Sequence, residues 1–238
     1  MSYWCRRICV LLWSAFFVFT SYQFSVEAVD KIVVGQTDSI EFDKLYEAIL
    51  AEAGIDYEVL LVPTARKRRM FVEGKIVIDC CAAVAWRKRP EEIAVQLHSK
   101  VFLHSAEHYF FHRDSDADIK TIQDLKRHRL AIVRGFTYKH EQTFGETLKT
   151  TSIDEMMTVV ALGRAQVGII NPYDFQRRLA KTPRPLRLGI QHEASPLTIR
   201  VHKKKANLLP RINAAIDRFL ADGTIEKMQS RVHVPQLQ

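Results

Sequence analysis

A repeated order of short apolar strands and amphipathic helices is the feature that most constrains the fold of this chain. Apolar runs at 31–37, 57–62 and 76–84 are typical of buried strands, and helices are predicted between them at 43–53 and 65–73. Such an order favours a parallel sheet covered by helices, because parallel neighbours require a crossover connection. The sequence therefore predicts an α/β fold.

The second half of the chain repeats this order after an extended crossing and a polar turn. We predict extended segments at 94–97 and 101–111, helices at 122–128, 153–162, 173–180, 209–221 and up to about 231, and strands at 130–133, 167–170, 186–190 and 197–201. Two α/β halves joined by a crossing indicate two lobes with a cleft. Ligands of such sheets bind beyond the carboxyl ends of strands.

The N-terminus has the pattern of a secretory signal peptide. Arg6 and Arg7 precede an apolar run at 10–19, and small residues at 26–28 form a cleavage site before Val29. The run is shorter than the roughly 20 apolar residues that a membrane span needs. We therefore expect cleavage and export to the periplasm, with an uncleaved membrane anchor as the alternative. The predicted division is 1–28 signal peptide, 29–112 lobe 1, 113–200 lobe 2 and 201–238 C-terminal helices, which can return to lobe 1.

The net charge of +8 favours anionic ligands or surfaces. The basic residues are scattered and are not interleaved with stacking aromatics, which disfavours nucleic acid as a partner. No His/Cys spacing indicates a metal site. Cys80 and Cys81 are adjacent, and because neighbouring strand side chains point to opposite faces, two packed thiols are expected rather than a vicinal disulfide.

The stretch 130–138 is the first candidate for a binding site. The apolar strand 130–133 stops before Gly135, and a helix is expected from about Thr137 and Tyr138. Backbone N–H groups at such a helix start suit an anionic or polar ligand. Arg134 adds a fixed charge, and the Thr137 hydroxyl can cap the helix or donate to a ligand. The alternative is an ordinary strand–turn–helix connection.

Three segments of the second half carry a resemblance to a known family. Residues 122–126 with 130–135 look like its "sleDLkGkkVgvvrG" motif, 161–171 like "LxxGraDaxxxD", and 219–225 like "lxxdGtl". From about 31 to 232 the chain resembles the bacterial extracellular solute-binding proteins of family 3, which are type II periplasmic binding proteins, many of them serving amino-acid ABC transporters. The resemblance implies a monomer without cofactor that closes around a small solute and delivers it to an inner-membrane ABC transporter permease.

The resemblance also implies particular site residues. Arg89 stands where the family has the arginine of a "T-x-x-R" loop that grips the ligand carboxylate; alternatively, Arg87 and Arg89 are surface charges. Trp86 replaces a threonine and adds a ring that stacks on a ligand or caps the core. Asn171 replaces a frequent aspartate and so offers no charge to an ammonium. Together with a short connection at 38–42, these departures favour a small polar or anionic solute over a standard α-amino acid.

Two other classes of function stay open. Some relatives on this fold are exported dehydratases, and Asp174, Glu141 and His140 are the candidate cleft acids or bases for an enzyme. No nucleophile elbow or phosphate loop is present, and we expect a binding protein rather than an enzyme. The third class is an orphan sensor or partner-binding module.

Overall fold

The computed structural model describes residues 32–35, 42–117 and 119–230. The predicted signal peptide at 1–28 lies outside these residues. The first half has the elements β1 (Val33–Gly35), α1 (Asp43–Glu52), β2 (Glu58–Leu60), α2 (Thr64–Val72) and β3 (Ile78–Ala82). Strand β1 pairs in parallel with both β2 and β3, which confirms the predicted parallel arrangement.

Two long antiparallel strands join the halves of the sheet. A 3-10 helix (Val84–Trp86), the short helix α3 (Pro90–Ile93) and β4 (Gln96–His98) lead into β5 (Leu103–His112), which pairs with β9 (Leu186–His202) along most of its length. Strand β9 also pairs with β3 and β4. The two strands predicted at 186–190 and 197–201 are therefore one continuous strand of 17 residues.

The second half is again parallel. Its elements are a 3-10 helix (Ile122–Arg127), β6 (Leu130–Val133), β7 (Thr147–Thr150), α4 (Ile153–Ala161), β8 (Val167–Ile170) and α5 (Pro172–Lys181). Strand β6 pairs in parallel with β7 and β8, and the whole sheet has the order β2-β1-β3-β9-β5-β8-β6-β7. The predicted cap of α4 is present, since Ser152 Oγ accepts from the Glu155 N–H at 3.1 Å.

The helix predicted from Thr137 is absent, and this expectation was wrong. After β6 the chain turns at Gly135, whose φ is +93°, and the next helical segment is a single 3-10 turn at Glu141–Thr143. Tyr138 is buried, and its hydroxyl oxygen accepts a hydrogen bond from the Val133 N–H at 2.9 Å. This inward side chain packs the segment against β6, so no helix starts at Thr137.

The buried apolar residues form separate clusters in the two halves. Helix α1, strands β1 and β3, and the end of β9 share one cluster, against which α6 (Leu209–Ala221) also packs; we call this part lobe 1. Strands β5, β6 and β8 with helix α4 share the others, and this part is lobe 2. The 3-10 helix Lys203–Leu208 precedes α6, and α7 (Thr224–Ser230) follows it. Among the described residues no helix is both long enough and apolar enough to span a bilayer.

Candidate ligand-binding site

A cavity of about 80 Å³ lies between the two lobes at the carboxyl ends of β3, β6 and β8. This is where the order of strands predicts a ligand. A larger depression of about 670 Å³ lies on lobe 2 around 126–129, but none of its lining residues is buried. The cavity between the lobes is the better candidate site, because buried polar groups from both lobes and from the crossing strands line it.

Arg87 is the polar group that distinguishes this cavity. Its side chain lines the space and is only 7% exposed. Within the described parts of the chain, the guanidinium has no hydrogen-bonding or ion-pair partner, and its Nε atom is fully buried. Burial and the nearby charge of Arg200 lower the pKa of Arg87 to about 9, so the group is still a cation at neutral pH. A buried cation without a partner is costly unless an anion meets it.

Arg89 does not reach the cavity. It is exposed, at the residue before α3, and it is not part of the cavity lining. The 3-10 helix Val84–Trp86 turns the chain, so that Arg87 points inward and Arg89, two residues later, points to solvent. Arg87, and not Arg89, is therefore the arginine of this loop that lines the cavity.

Trp86 and Thr137 line the cavity and join the lobes. The Thr137 hydroxyl donates to the Trp86 carbonyl at 2.9 Å and accepts from Arg68 Nη1 at 3.3 Å. The same Arg68 nitrogen donates to the Gly135 carbonyl at 3.0 Å. The hydroxyl of Thr137 is therefore engaged between lobes. The indole N–H of Trp86 donates to Glu193 Oε1 at 3.2 Å.

Asn171 lines the cavity, but its amide serves the fold. Its Oδ1 accepts from the Tyr173 N–H at 2.8 Å and so caps α5, while Nδ2 donates to Ser105 Oγ at 3.0 Å and to the Ala106 carbonyl at 3.1 Å. Both functional atoms are thus already bonded. Among the other predicted residues, Arg134 is exposed and outside the lining, and Tyr138 belongs to the core.

Two carboxyl groups that the sequence did not assign to ligand binding also line the cavity. Asp174, the first of the predicted enzyme candidates, is buried at the start of α5. Glu107 comes from β5, and its Oε2 is buried without a hydrogen-bonding partner among the described residues. The other enzyme candidates, His140 and Glu141, lie outside the lining. Its position as the one acid in the aromatic, histidine-rich strand β5 is the sequence signal that could have identified Glu107.

Cys80 and Cys81 also line the cavity, and their sulfurs are bonded to each other. The expectation of two separate thiols was wrong, because it assumed the ordinary spacing and opposite directions of strand neighbours. Here the peptide bond between the two residues is cis and their Cα atoms lie 3.0 Å apart. The disulfide therefore forms part of the wall on the lobe 1 side.

A buried network of charges supports the lobe 1 side of the cavity. Lys67 Nζ lies 2.7 Å from Asp79 Oδ1, and Arg200 contacts both Asp79 and Glu92. Arg68 also pairs with Glu92. Burial alone would raise the pKa of Asp79, but the charges of Lys67, Arg200 and Arg87 outweigh it and hold the pKa well below its usual range. All five network residues therefore have an ion-pair partner, whereas the Arg87 guanidinium has none within the described residues.

Comparisons of the sequence with protein-family profiles and with curated proteins give no match. Comparison of the structure with solved structures gives strong matches. An ancestral arginine-binding protein bound to arginine superposes with a TM-score of 0.71 at 17% identity, covering 86% of this chain and 98% of that one. The fold is that of a type II periplasmic binding protein.

Two further structures share this type II fold. The substrate-binding protein of an amino-acid ABC transporter superposes with a TM-score of 0.69 at 16% identity, covering 84% of this chain and 97% of that one. A histidine kinase sensor domain with similarity to periplasmic binding proteins superposes with a TM-score of 0.70 at 14% identity, covering 85% of this chain and 95% of that one. The likeness shows the two-lobed architecture, in which the cavity described above lies between the lobes.

Proposed function

We propose that this protein captures a small solute with an anionic group in the cavity between its lobes. The observation that carries the proposal is Arg87, a buried guanidinium that lines the cavity without a partner in the described residues. A carboxylate is well suited to it, because it accepts two parallel hydrogen bonds from the guanidinium fork. The cavity volume of about 80 Å³ exceeds the roughly 10–15 Å³ that one water needs, and it suits a ligand of a few heavy atoms.

The structure changes the argument about the class of solute. From the sequence, an anionic solute was favoured over a zwitterion for two reasons. Asn171 was expected to face the ligand without offering a negative charge, and Arg89, Arg134 and a helix start were expected to surround it. Asn171 is bonded within the fold, the two arginines lie outside the cavity, and the helix is absent. Because the carboxyl groups of Glu107 and Asp174 line the cavity, solutes with a cationic nitrogen are again compatible with it.

Replacing Arg87 by methionine tests the proposal. We expect the affinity for the captured solute to fall at least tenfold, since losing one partner of a buried charged hydrogen bond commonly costs about 2–5 kcal/mol. The ligand-free variant should at the same time be more stable by about 1–3 kcal/mol, because a buried unpartnered donor has been removed. Native mass spectrometry of the purified protein identifies the solute, titration calorimetry measures its affinity, and urea denaturation measures stability.

Arg89→Met is the matched control, because it removes an exposed arginine two residues away. Its affinity and stability should remain those of the wild type. If Arg87→Met binds the solute as tightly as the wild type, or if Arg89→Met is the variant that loses binding, Arg87 is not the anchor.

Delivery to an ABC transporter is the proposed use of the bound solute. The likeness to an ABC transporter's substrate-binding protein supports it, and the likeness to a histidine kinase sensor domain supports a sensor as the second candidate. Both begin with the same binding step. Uptake of radiolabelled solute by cells that lack the protein separates them, because loss of uptake indicates transport and unchanged uptake indicates a sensor.

Export to the periplasm is proposed from the N-terminal pattern of Arg6, Arg7, the apolar run and Ala28. The mature protein from the native host should begin at about Val29 and appear in the soluble envelope fraction. Mass spectrometry of the intact protein measures its N-terminus. Recovery of the full chain from the cytosol would contradict export.

A further inference from the structure

The crossing strands place two glutamates opposite each other beside the cavity. Glu107 on β5 and Glu193 on β9 are direct cross-strand partners in an antiparallel ladder. Side chains at such positions have Cβ atoms about 5 Å apart, and like charges directly opposite are destabilising. Glu193 is buried and Glu107 is half-buried, so this arrangement disfavours an ionised Glu107 next to Glu193.

The hydrogen bonds of the pair indicate which member holds the proton. Glu193 Oε1 accepts a hydrogen bond from the indole N–H of Trp86 at 3.2 Å. Among the described residues nothing donates to Glu107 Oε2, which is buried. Burial and the charge of Glu193 raise the pKa of Glu107 to about 8. The proton therefore resides on Glu107 at neutral pH, on the side chain that lines the cavity.

The cavity is thus lined by one basic and one acidic side chain that each have a buried polar atom without a hydrogen-bonding partner in the described residues. Within the described residues, the Arg87 guanidinium from lobe 1 has no ion-pair partner, and Oε2 of Glu107 from the crossing strands has no hydrogen-bonding partner. We propose that a cationic nitrogen of the solute binds Glu107 and displaces the proton that Glu107 holds, while the solute's carboxylate binds Arg87. The solute is then a small zwitterion, and each binding event releases a proton to the solvent. This inference rests on the proposed function of the same cavity.

Other titratable groups face the pair, and they do not supply the proton. Lys67 is paired with Asp79, and Asp174 lies across the cavity on α5. Burial raises the pKa of Tyr138 far above neutrality and that of Tyr109 to about 12. Burial and the charges of His140 and Lys139 lower the pKa of His192, the neighbour of Glu193, to about 4, so this ring is neutral between pH 6 and 8.

The sign of the pH dependence follows from this assignment. The solute's cation requires ionised Glu107, whose pKa in the free protein is about 8. Affinity should therefore rise with pH, by about tenfold between pH 6 and pH 7, and level off above about pH 8. A solute without the nitrogen leaves Glu107 protonated and should show neither this rise nor proton release.

Calorimetry with matched probes tests the inference. The probes are glycine, L-alanine, β-alanine and γ-aminobutyrate, each compared with the acid of the same carbon skeleton that lacks nitrogen. Titrations at pH 7.0 in phosphate and in Tris, whose ionisation enthalpies differ, give the number of protons released. We expect at least one amino compound to bind at least tenfold more tightly than its nitrogen-free partner, with release of nearly one proton.

Glu107→Gln should reduce the affinity for that amino compound to the level of its nitrogen-free partner and abolish both proton release and the pH dependence. Glu91→Gln, which removes an exposed carboxylate on α3, should leave all three unchanged. If Glu107→Gln does not fold, the number of protons that the wild type releases on binding still tests the inference. Equal affinity for both kinds of probe, or binding without proton release, overturns this inference and leaves the proposed function intact. Binding of no probe overturns both.

Discussion

Replacing Arg200 by methionine should destabilise the protein by about 3–5 kcal/mol, because it breaks a buried ionic network from its centre. Arg200 is fully buried and bonds to Asp79. Its Nη1 atom lies 3.2 Å from both Glu92 Oε1 and Gln96 Oε1. Its guanidinium carbon lies 4.3 Å from the centroid of the Phe71 ring. The substitution keeps most of the side-chain volume but leaves two carboxylates with one cation fewer. Guanidinium denaturation followed by circular dichroism measures the loss.

Arg218→Met is the control for this prediction. Arg218 also pairs with a carboxylate, that of Glu52, but both side chains are more than a third exposed. Exposed pairs contribute only about 0–1 kcal/mol, so this variant should be nearly as stable as the wild type. An Arg200→Met protein within 1 kcal/mol of the wild type would show that Lys67 and Arg68 alone compensate the two carboxylates.

The same network makes stability depend on acid. The pKa of Asp79 is held below its usual range, so its contribution is fully present above the unfolded value of about 3.9 and is lost as pH falls toward the folded value. The wild type should therefore lose stability steeply below about pH 4. Arg200→Met should lose less over the same range, because the carboxylate is less favoured in that variant. Denaturation curves between pH 2 and 6 measure both slopes.

Replacing Gly135 by alanine should impair closure of the lobes and weaken solute binding by more than tenfold. Gly135 has a φ of +93°, and a Cβ there would lie 2.5 Å from the Ala65 backbone nitrogen on α2 of lobe 1. The two nearest atoms belong to the backbone of Ala65, and backbone atoms cannot rotate away as a side chain can. The bonds from Arg68 to Gly135 and Thr137 would then be lost as well. Calorimetry measures affinity, and small-angle scattering measures the expected rise in radius of gyration.

Gly163→Ala separates the clash from backbone strain. Gly163 also has a positive φ, +68°, but nothing lies within 4 Å of an added Cβ. Both variants should lose about 1–2 kcal/mol of stability from the left-handed conformation, and only Gly135→Ala should lose binding and expand. Equal affinity of the two variants for the solute would contradict a steric role for Gly135 in closure.

Local pattern was sufficient to predict most of the elements. Strands β6 and β8 and helix α6 have the predicted bounds, because uninterrupted apolar runs and helical spacing are properties of neighbouring residues. The Ser152 cap was predictable for the same reason. The helix expected from Thr137 failed because the burial of Tyr138 against β6 depends on a core that local sequence does not describe.

The sequence alone determined the α/β class, the two halves and the carboxyl ends at which a cavity would form, since these follow from the order of strands. The tertiary structure decided which side chains face that cavity. A 3-10 turn directs Arg87 rather than Arg89 inward, and the register of β5 against β9 sets Glu107 opposite Glu193. A shift of register by one residue reverses the face of every side chain in a strand. Such long-range pairing is fixed by packing of the whole domain, and only the folded chain shows it.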